Sequence, residues 1–229
     1  MTAAMNNPAD IENARFLMVE QQIRTWEVLD PSVLELLFTV KREDFVPPAY
    51  RSLAFVDTEI PIGQNQVMMT PKMEARIVQE VAAKPTDRVL EIGTGSGYLT
   101  ALLAKRCESV TSIEYFDELS TSAGASLAKA GVTNIRLFVG DAAESPANVI
   151  GVHDRFDVIV LTGSLPILPN TFLHCLNVGG RLFAVTGDAP AMKANLLTKT
   201  GDATYTTAEL FETVLAPLIN AKQPLRFQF

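Results

Sequence analysis

The chain has 229 residues, 48% of them hydrophobic, and carries 26 acidic against 19 basic side chains for a formal charge of −7. That length and apolar content suffice for one large domain with a buried core, and the acidic balance argues against unspecific binding to a nucleic-acid backbone. Cys107 and Cys175 lie far apart and outside any CxxC pair, so they read as buried free thiols; no signal-peptide pattern opens the chain and no apolar run approaches about 18 residues, so no membrane span is expected and the chain reads as cytoplasmic.

Residues 1–9 are small and polar and read as frayed. From Ile11, the pattern through Ala14, Phe16-Leu17, Met18 and Ile23 predicts an amphipathic helix ending near Thr25, with Trp26 as an anchor for it. Asp30-Pro31 then reads as N-cap and first residue of a second helix, its buried stripe formed by Val33, Leu34, Leu36, Leu37 and Val40. Prolines at 47 and 48 forbid continuation. Asp57 to Gln66 is read as a turn-rich loop whose acids, Asp57 and Glu59, are either ligand contacts or solvated charges. Thr70-Pro71 opens a helix to about Ala83, so the Thr70 hydroxyl reads as a cap before it reads as a catalyst.

The stretch Arg88 to Tyr98 organises the remainder of the chain. A short buried strand, Val89 to Ile92, breaks into a loop with glycine at positions 93, 95 and 97, and a helix resumes from Tyr98 to Lys105. Strand, glycine loop and helix make the start of a nucleotide-type site, because residues without a Cβ allow positive φ and close ligand approach. The spacing is G-x-G-x-G with Glu91 ahead of it, not G-x-G-x-x-G, and no Walker lysine is present. Val110 to Glu114 supplies a second strand ending in a carboxylate, which suits a ribose diol. A third strand, Asn134 to Val139, ends at Gly140-Asp141-Ala142; a fourth covers Phe156 to Leu161 and a fifth Gly180 to Thr186. Helices are expected near 116–130, 143–150 and 169–176. Alternating strands and helices imply a mostly parallel sheet covered on both faces, with Glu91, Glu114, Asp141 and Thr162 at its carboxyl edge. The tail carries two β-leaning runs, 209–215 and 225–229, expected to close the sheet as a hairpin. His153 and His174 sit in no ligand-spaced cluster, so no metal site is expected.

Glu91-Ile92-Gly93-Thr94-Gly95-Ser96-Gly97 resembles the first motif of the class I S-adenosylmethionine (SAM) dependent methyltransferases. Arg42-Glu43-Asp44-Phe45-Val46-Pro47, Ile60-Pro61-Ile62-Gly63, Met18 to Arg24 and Gly179-Gly180-Arg181-Leu182 narrow the resemblance to the protein-L-isoaspartate O-methyltransferase family, from about Met18 onward. The resemblance implies a single Rossmann-like α/β domain over 1–229. A helical cap and acceptor loop would occupy 1–75, and a SAM-binding core 76–229. It places Glu91, Gly93, Thr94, Gly95, Ser96 and Gly97 at the methionine end of SAM, Glu114 at the ribose, and Gly140, Asp141 and Ala142 at the adenine, with Gln66 also contacting the cofactor. Ile62, Gly63 and Thr162 would meet the substrate.

The chain departs from the family where its chemistry is done. The family's Thr-Ile-Ser before proline is replaced by Val67-Met68-Met69, with Thr70 shifted by one position, so Met69 and Thr70 are the candidate catalytic positions. Ala142 stands for a glycine, and Thr162-Gly163-Ser164 for Thr-Ala-Ala. The methionines at 68, 69 and 73 read as an adaptable apolar pocket or as plain core packing. The expected activity is methylation of the carboxylate of damaged aspartyl residues, on a protein or peptide acceptor and with neither nucleic acid nor membrane as partner. The alternatives are a different peptide or small-molecule acceptor, and SAM binding with little turnover.

Overall fold

The computed structural model describes residues 7–224. The N-terminal cap begins with α1 (Pro8–Leu17), capped by the Asn7 side chain, and continues without a break through a wide π-type turn, Met18–Ile23, into a tight turn, Arg24–Trp26. Pro8 and Ala9 are therefore helical where the sequence suggested fraying; residues 1–6 lie outside the described residues. The π spacing puts Met18 and Ile23, five apart, on one buried face. Helix α2 (Pro31–Thr39) begins as expected, with the Asp30 carboxylate accepting from the Ser32 N–H at 2.8 Å. Trp26 meets Phe211 edge-on at 5.9 Å and lies under the Lys72 ammonium at 4.3 Å, so it does join the cap to the core.

The expected loop at 57–66 is instead partly a hairpin, β1 (Ile60–Gly63) against β2 (Gln66–Met68). Its two-residue turn, Gln64-Asn65, has positive φ at both positions (51° and 54°), the sign a type I′ turn requires. Helix α3 (Pro71–Val81) follows. Thr70 occupies the N-cap position through its carbonyl alone, since its hydroxyl makes no capping bond.

Seven strands form the main sheet. They are β3 (Arg88–Ile92), β4 (Ser109–Glu114), β5 (Ile135–Val139), β6 (Phe156–Leu161), β7 (Leu176–Thr186), β8 (Met192–Gly201) and β9 (Thr204–Thr213), in the order 5-4-3-6-7-8-9. The first five are parallel and the last two antiparallel. The two-residue period of a strand sorts the core. Val89, Val110, Val158, Val160 and Phe183 pack towards the cap, while Leu90, Ile92, Ile113, Ile159 and Leu182 pack on the opposite face. Helices α4 (Tyr98–Ala104), α5 (Asp117–Lys129) and the short α6 (Asn170–His174) complete the layers. Strand order reverses between β3 and β6, which opens the crevice at the carboxyl edge where ligands bind such sheets.

Two expectations about helices fail here. The helix foreseen at 143–150 is a single tight turn, Pro146–Asn148, because Pro146 offers no N–H and holds Ser145 extended. The helix foreseen at 169–176 stops at His174, because Leu176 is already paired with Phe156 as the start of β7. The closing hairpin is β8 with β9; the run at 225–229 lies outside the described residues.

One buried guanidinium joins these parts. Arg42, 1% exposed, donates from Nε to the Ala54 carbonyl at 2.9 Å, from Nη2 to the Met69 carbonyl at 2.7 Å, and from Nη1 to the Glu74 carboxylate. Its Cζ lies 5.3 Å from the Tyr98 ring centroid. Burial pushes the Glu74 carboxyl up to about 7 against the pull of Arg42. Arg42→Met should strand that carboxylate and cost about 3–5 kcal/mol at pH 8. Denaturant titration should find a smaller loss at pH 5, where Glu74 takes up a proton, and an equal loss at both pH values would refute the pairing.

Candidate active site

At the carboxyl edge of β3, β4, β5 and β6 lies a cavity of about 330 Å³. The hairpin covers one side of it and the segment 215–219 forms another wall. Its floor is the glycine loop. Gly93 has φ +96°, and a Cβ there would fall 2.1 Å from the Thr162 hydroxyl oxygen. That hydroxyl donates to the Ile92 and Gly93 carbonyls, both at 2.8 Å, so Gly93 is the residue that lets β3 and β6 close against each other. At Gly97, φ +83°, a Cβ would meet Ala123 and Leu127 at 3.2 Å, so this glycine serves the packing of α4 on α5.

Glu114 closes the loop from the neighbouring strand. Its Oε2 accepts from the Gly95 N–H at 2.8 Å and its Oε1 from the Phe116 N–H at 3.1 Å, and the carboxylate also lines the cavity. Each oxygen retains a lone pair for a further donor. At the far end, Asp141 accepts from the Ala143 N–H at 3.0 Å and from the Asn220 amide at 2.7 Å.

Ten of the sixteen positions singled out from sequence line the main cavity: Ile62, Gln66, Met69, Gly93, Gly95, Glu114, Gly140, Asp141, Ala142 and Thr162. Thr94 and Ser96 line a smaller adjoining space beside Met69. Four do not line either space. Gly63 is the last residue of β1, paired with Gln66 across the turn, and Thr70 heads α3. Gly97 faces α5. Glu91 points the other way, since side chains alternate along β3 and Leu90 and Ile92 take the opposite face. The sequence reading missed Asn65, Tyr115, Phe116 and Leu218, all of which line the cavity. A signal for Leu218 was present in Gly163, where a Cβ would fall 2.7 Å from a Leu218 methyl. Ser164 fixes that segment by donating from its hydroxyl to the Leu215 carbonyl at 2.8 Å and exchanging backbone bonds with Ala216 and Leu218. Of the flanking acids, Asp57 pairs with Lys72 at 2.7 Å and Glu59 is exposed; neither lines the cavity.

Glu91 serves the loop from beneath. It is fully buried, and its Oε2 accepts from the Thr100 hydroxyl at 2.5 Å and the Ser112 hydroxyl at 2.7 Å. Ser112 has one hydrogen to give, so the 2.6 Å contact with Thr94 must be donated by Thr94. A chain of hydroxyls thus ties the loop to the carboxyl group. No cation pairs with Glu91, and burial, reinforced by the Glu114 charge, pushes it up to about 7. The unfolded group, at its ordinary 4.5, ionises first. The folded chain therefore holds more protons between those values, and stability falls as pH rises through the window, by about 3 kcal/mol. Glu74 acts in the same sense. Glu91→Gln should remove about half of the decline in melting temperature between pH 5 and pH 8. An unchanged slope in calorimetric scans would mean that Glu91 carries no proton in the folded state.

Among the described residues, no helix is long and apolar enough to cross a membrane, and no group of three or more His, Cys, Asp or Glu is placed to hold a metal ion. The family model for protein-L-isoaspartate(D-aspartate) O-methyltransferase matches residues 13–223. The chain is 34% identical to protein-L-isoaspartate O-methyltransferase 2 of Pelobacter propionicus, over 95% of this chain and 96% of that one. It is 36% identical to protein-L-isoaspartate O-methyltransferase 1 of Rhodopseudomonas palustris, over 88% of this chain and 81% of that one. Among solved structures it resembles a candidate protein-L-isoaspartate O-methyltransferase of Plasmodium falciparum in complex with S-adenosyl-L-homocysteine. That likeness has a TM-score of 0.77 at 18% identity and covers 90% of this chain and 97% of that one. At that identity the likeness speaks for the Rossmann-like methyltransferase fold alone. With the sequence relatives beside it, the chain belongs to the protein-L-isoaspartate(D-aspartate) O-methyltransferase family.

Proposed function

We propose that this protein transfers a methyl group from SAM to the carboxylate of isoaspartyl or D-aspartyl residues in proteins and peptides. The observation that carries the reading is the cavity at the sheet's reversal point, floored by a Cβ-free loop and closed by the Glu114 carboxylate. These residues fit SAM. Gly93 and Gly95, at φ +96° and +54°, leave room against the backbone, and Glu114 retains acceptor capacity for a cis-diol. Gly140, Asp141 and Ala142 border the end where a flat base would rest. Bound there, SAM supplies a methyl group activated by the positive sulfur.

The chain's own contribution is placement. An ionised acceptor carboxylate is already a nucleophile, so no side chain need remove a proton. Alignment of the two reactants is worth about 7–11 kcal/mol. The hairpin residues Ile62 and Val67, with Met69 just beyond it, exclude water above the reacting centre. Asn65 lines the cavity with a side-chain amide that no neighbour engages, which makes it the group best suited to steady an acceptor. The Thr162 hydroxyl has given its only hydrogen to backbone carbonyls and is unsuited to that task. Two free buried thiols suit a reducing cytoplasm.

One observation favours a second reading within the same chemistry. Met69, 8% exposed, lines the cavity where the family carries a hydroxyl, so its apolar wall suits a less polar acceptor neighbourhood. The two readings separate on an isoaspartyl peptide, its normal aspartyl twin and a small-molecule panel, with SAM hydrolysis as control. Methyl ester on the isoaspartyl peptide alone is expected. Transfer to none of the panel, despite calorimetric binding of SAM, would overturn carboxyl methylation and leave a binding protein. Met69→Ser combined with Val67→Thr should raise kcat/KM on the isoaspartyl peptide about tenfold, since a hydrogen bond to a charged group contributes about 1.5–3 kcal/mol. No gain would mean that the pocket has diverged beyond those two side chains.

A further inference from the structure

A second cleft, of about 340 Å³, runs between the proline stretch at 46–48, the tip of the glycine loop and α5. It shares Ile62, Gly95 and Leu119 with the main cavity, so the two spaces adjoin across the hairpin and the loop. Its walls mix apolar surface from Pro47 and Pro48 with the hydroxyls of Ser96, Ser122 and Ser126. Arg51, exposed on the tight helical turn Pro48–Leu53, also lines it.

Arg51 differs from the other described arginines. Each of those engages a carboxylate, a carbonyl, a hydroxyl or a ring; examples are Arg76 with Glu80 at 2.6 Å, Arg181 with Asp87 at 2.8 Å and Arg136 with Thr111 at 3.1 Å. Arg51 has no hydrogen bond, ion pair or ring contact from its side chain. The acid that shares the cleft, Asp44, is bound to Lys129 at 3.1 Å and leaves the guanidinium unclaimed. A fixed fork of donors at the edge of a groove is suited to a carboxylate.

We propose that this cleft seats the flank of the acceptor chain and that Arg51 pairs with a carboxylate on that flank, so that acidic segments are the preferred acceptors. The proposal rests on the carboxyl-methylation reading above. A peptide whose damaged residue enters the main cavity must leave it along a groove. An extended chain advances about 3.3–3.6 Å per residue, so a side chain a few positions away reaches a neighbouring cleft. The serine hydroxyls offer donors to its carbonyl groups. With a net charge of −7 the protein as a whole repels an acidic chain, and among the described residues that line this cleft Arg51 is the one that offers a positive charge.

The test is fluorescence anisotropy on the full chain saturated with S-adenosyl-L-homocysteine, which needs no turnover. Labelled isoaspartyl peptides would carry glutamate, glutamine or lysine two to three residues to either side, each with an ordinary aspartyl twin. Glutamate on one flank is expected to tighten binding about three- to fivefold over glutamine, the range of a partly exposed ion pair. Arg51→Gln should abolish that preference while leaving the glutamine peptide's affinity unchanged, and Arg51→Lys should restore part of it. The preference should shrink when salt is raised, because exposed charges are screened. A glutamate preference that survives Arg51→Gln, or a lysine preference in the unaltered protein, would overturn the proposal. An Arg51-dependent preference shown equally by the aspartyl twins would uphold the cleft and instead count against isoaspartyl selectivity.

Discussion

The guanidinium of Arg42 is the constraint on which the remaining architecture turns. A buried cation is expensive to take out of water, and this one is tolerable because each face of its fork is met. What matters is where the partners come from. Ala54 belongs to the cap, Met69 to the end of the hairpin, Glu74 to α3, and the ring beneath it to Tyr98 at the start of α4. The hairpin that covers the cavity and the helix that follows the glycine loop are thus registered against the same side chain. Hydrophobic packing is non-directional and would permit these elements to slide; a planar set of hydrogen bonds does not.

The cavity extends this logic in polar form. Thr162 joins β6 to the turn after β3, Glu114 joins β4 to the loop at Gly95, and Ser112 joins β4 to both Glu91 and Thr94. Every bond crosses between neighbouring strands at their carboxyl ends. The loop is therefore held from beneath and from both sides before any ligand arrives, and little ordering is left for binding to impose. For a reaction that asks chiefly for alignment, such rigidity is the principal contribution a protein can make.

Much of this was legible in the residues. The 2-residue and 3.6-residue periods located the five parallel strands, and Asp30-Pro31 and Thr70-Pro71 marked two helix starts. What escaped did so for identifiable reasons. Glu91 sits in a motif associated with ligand contact, but its direction depends on strand parity, which only the paired sheet displays. Pro146 broke a helix that composition alone favoured. The hairpin at 60–68 was hidden because its turn, Gln64-Asn65, lacks the glycine that advertises such turns. In β8 the alternation of Met192, Ala194 and Leu196 with Lys193 and Asn195 is blurred by Leu197, which packs into the core on the otherwise polar face. The wall at 215–219 has no period at all. It is specified from a distance, by small residues at 163 and 164 that let it approach.

That distant wall has a consequence for how the molecule is made. The sheet is complete at Thr213, whereas the stretch that pairs with Ser164 begins only at Leu215. Chains leave the ribosome amino end first. A nascent molecule can therefore pack its core and seat its glycine bend while one flank of the crevice still stands open to solvent. Enclosure by this wall therefore follows assembly of the sheet, and a chain stopped just after Thr213 would keep the architecture yet never acquire that side of the cavity.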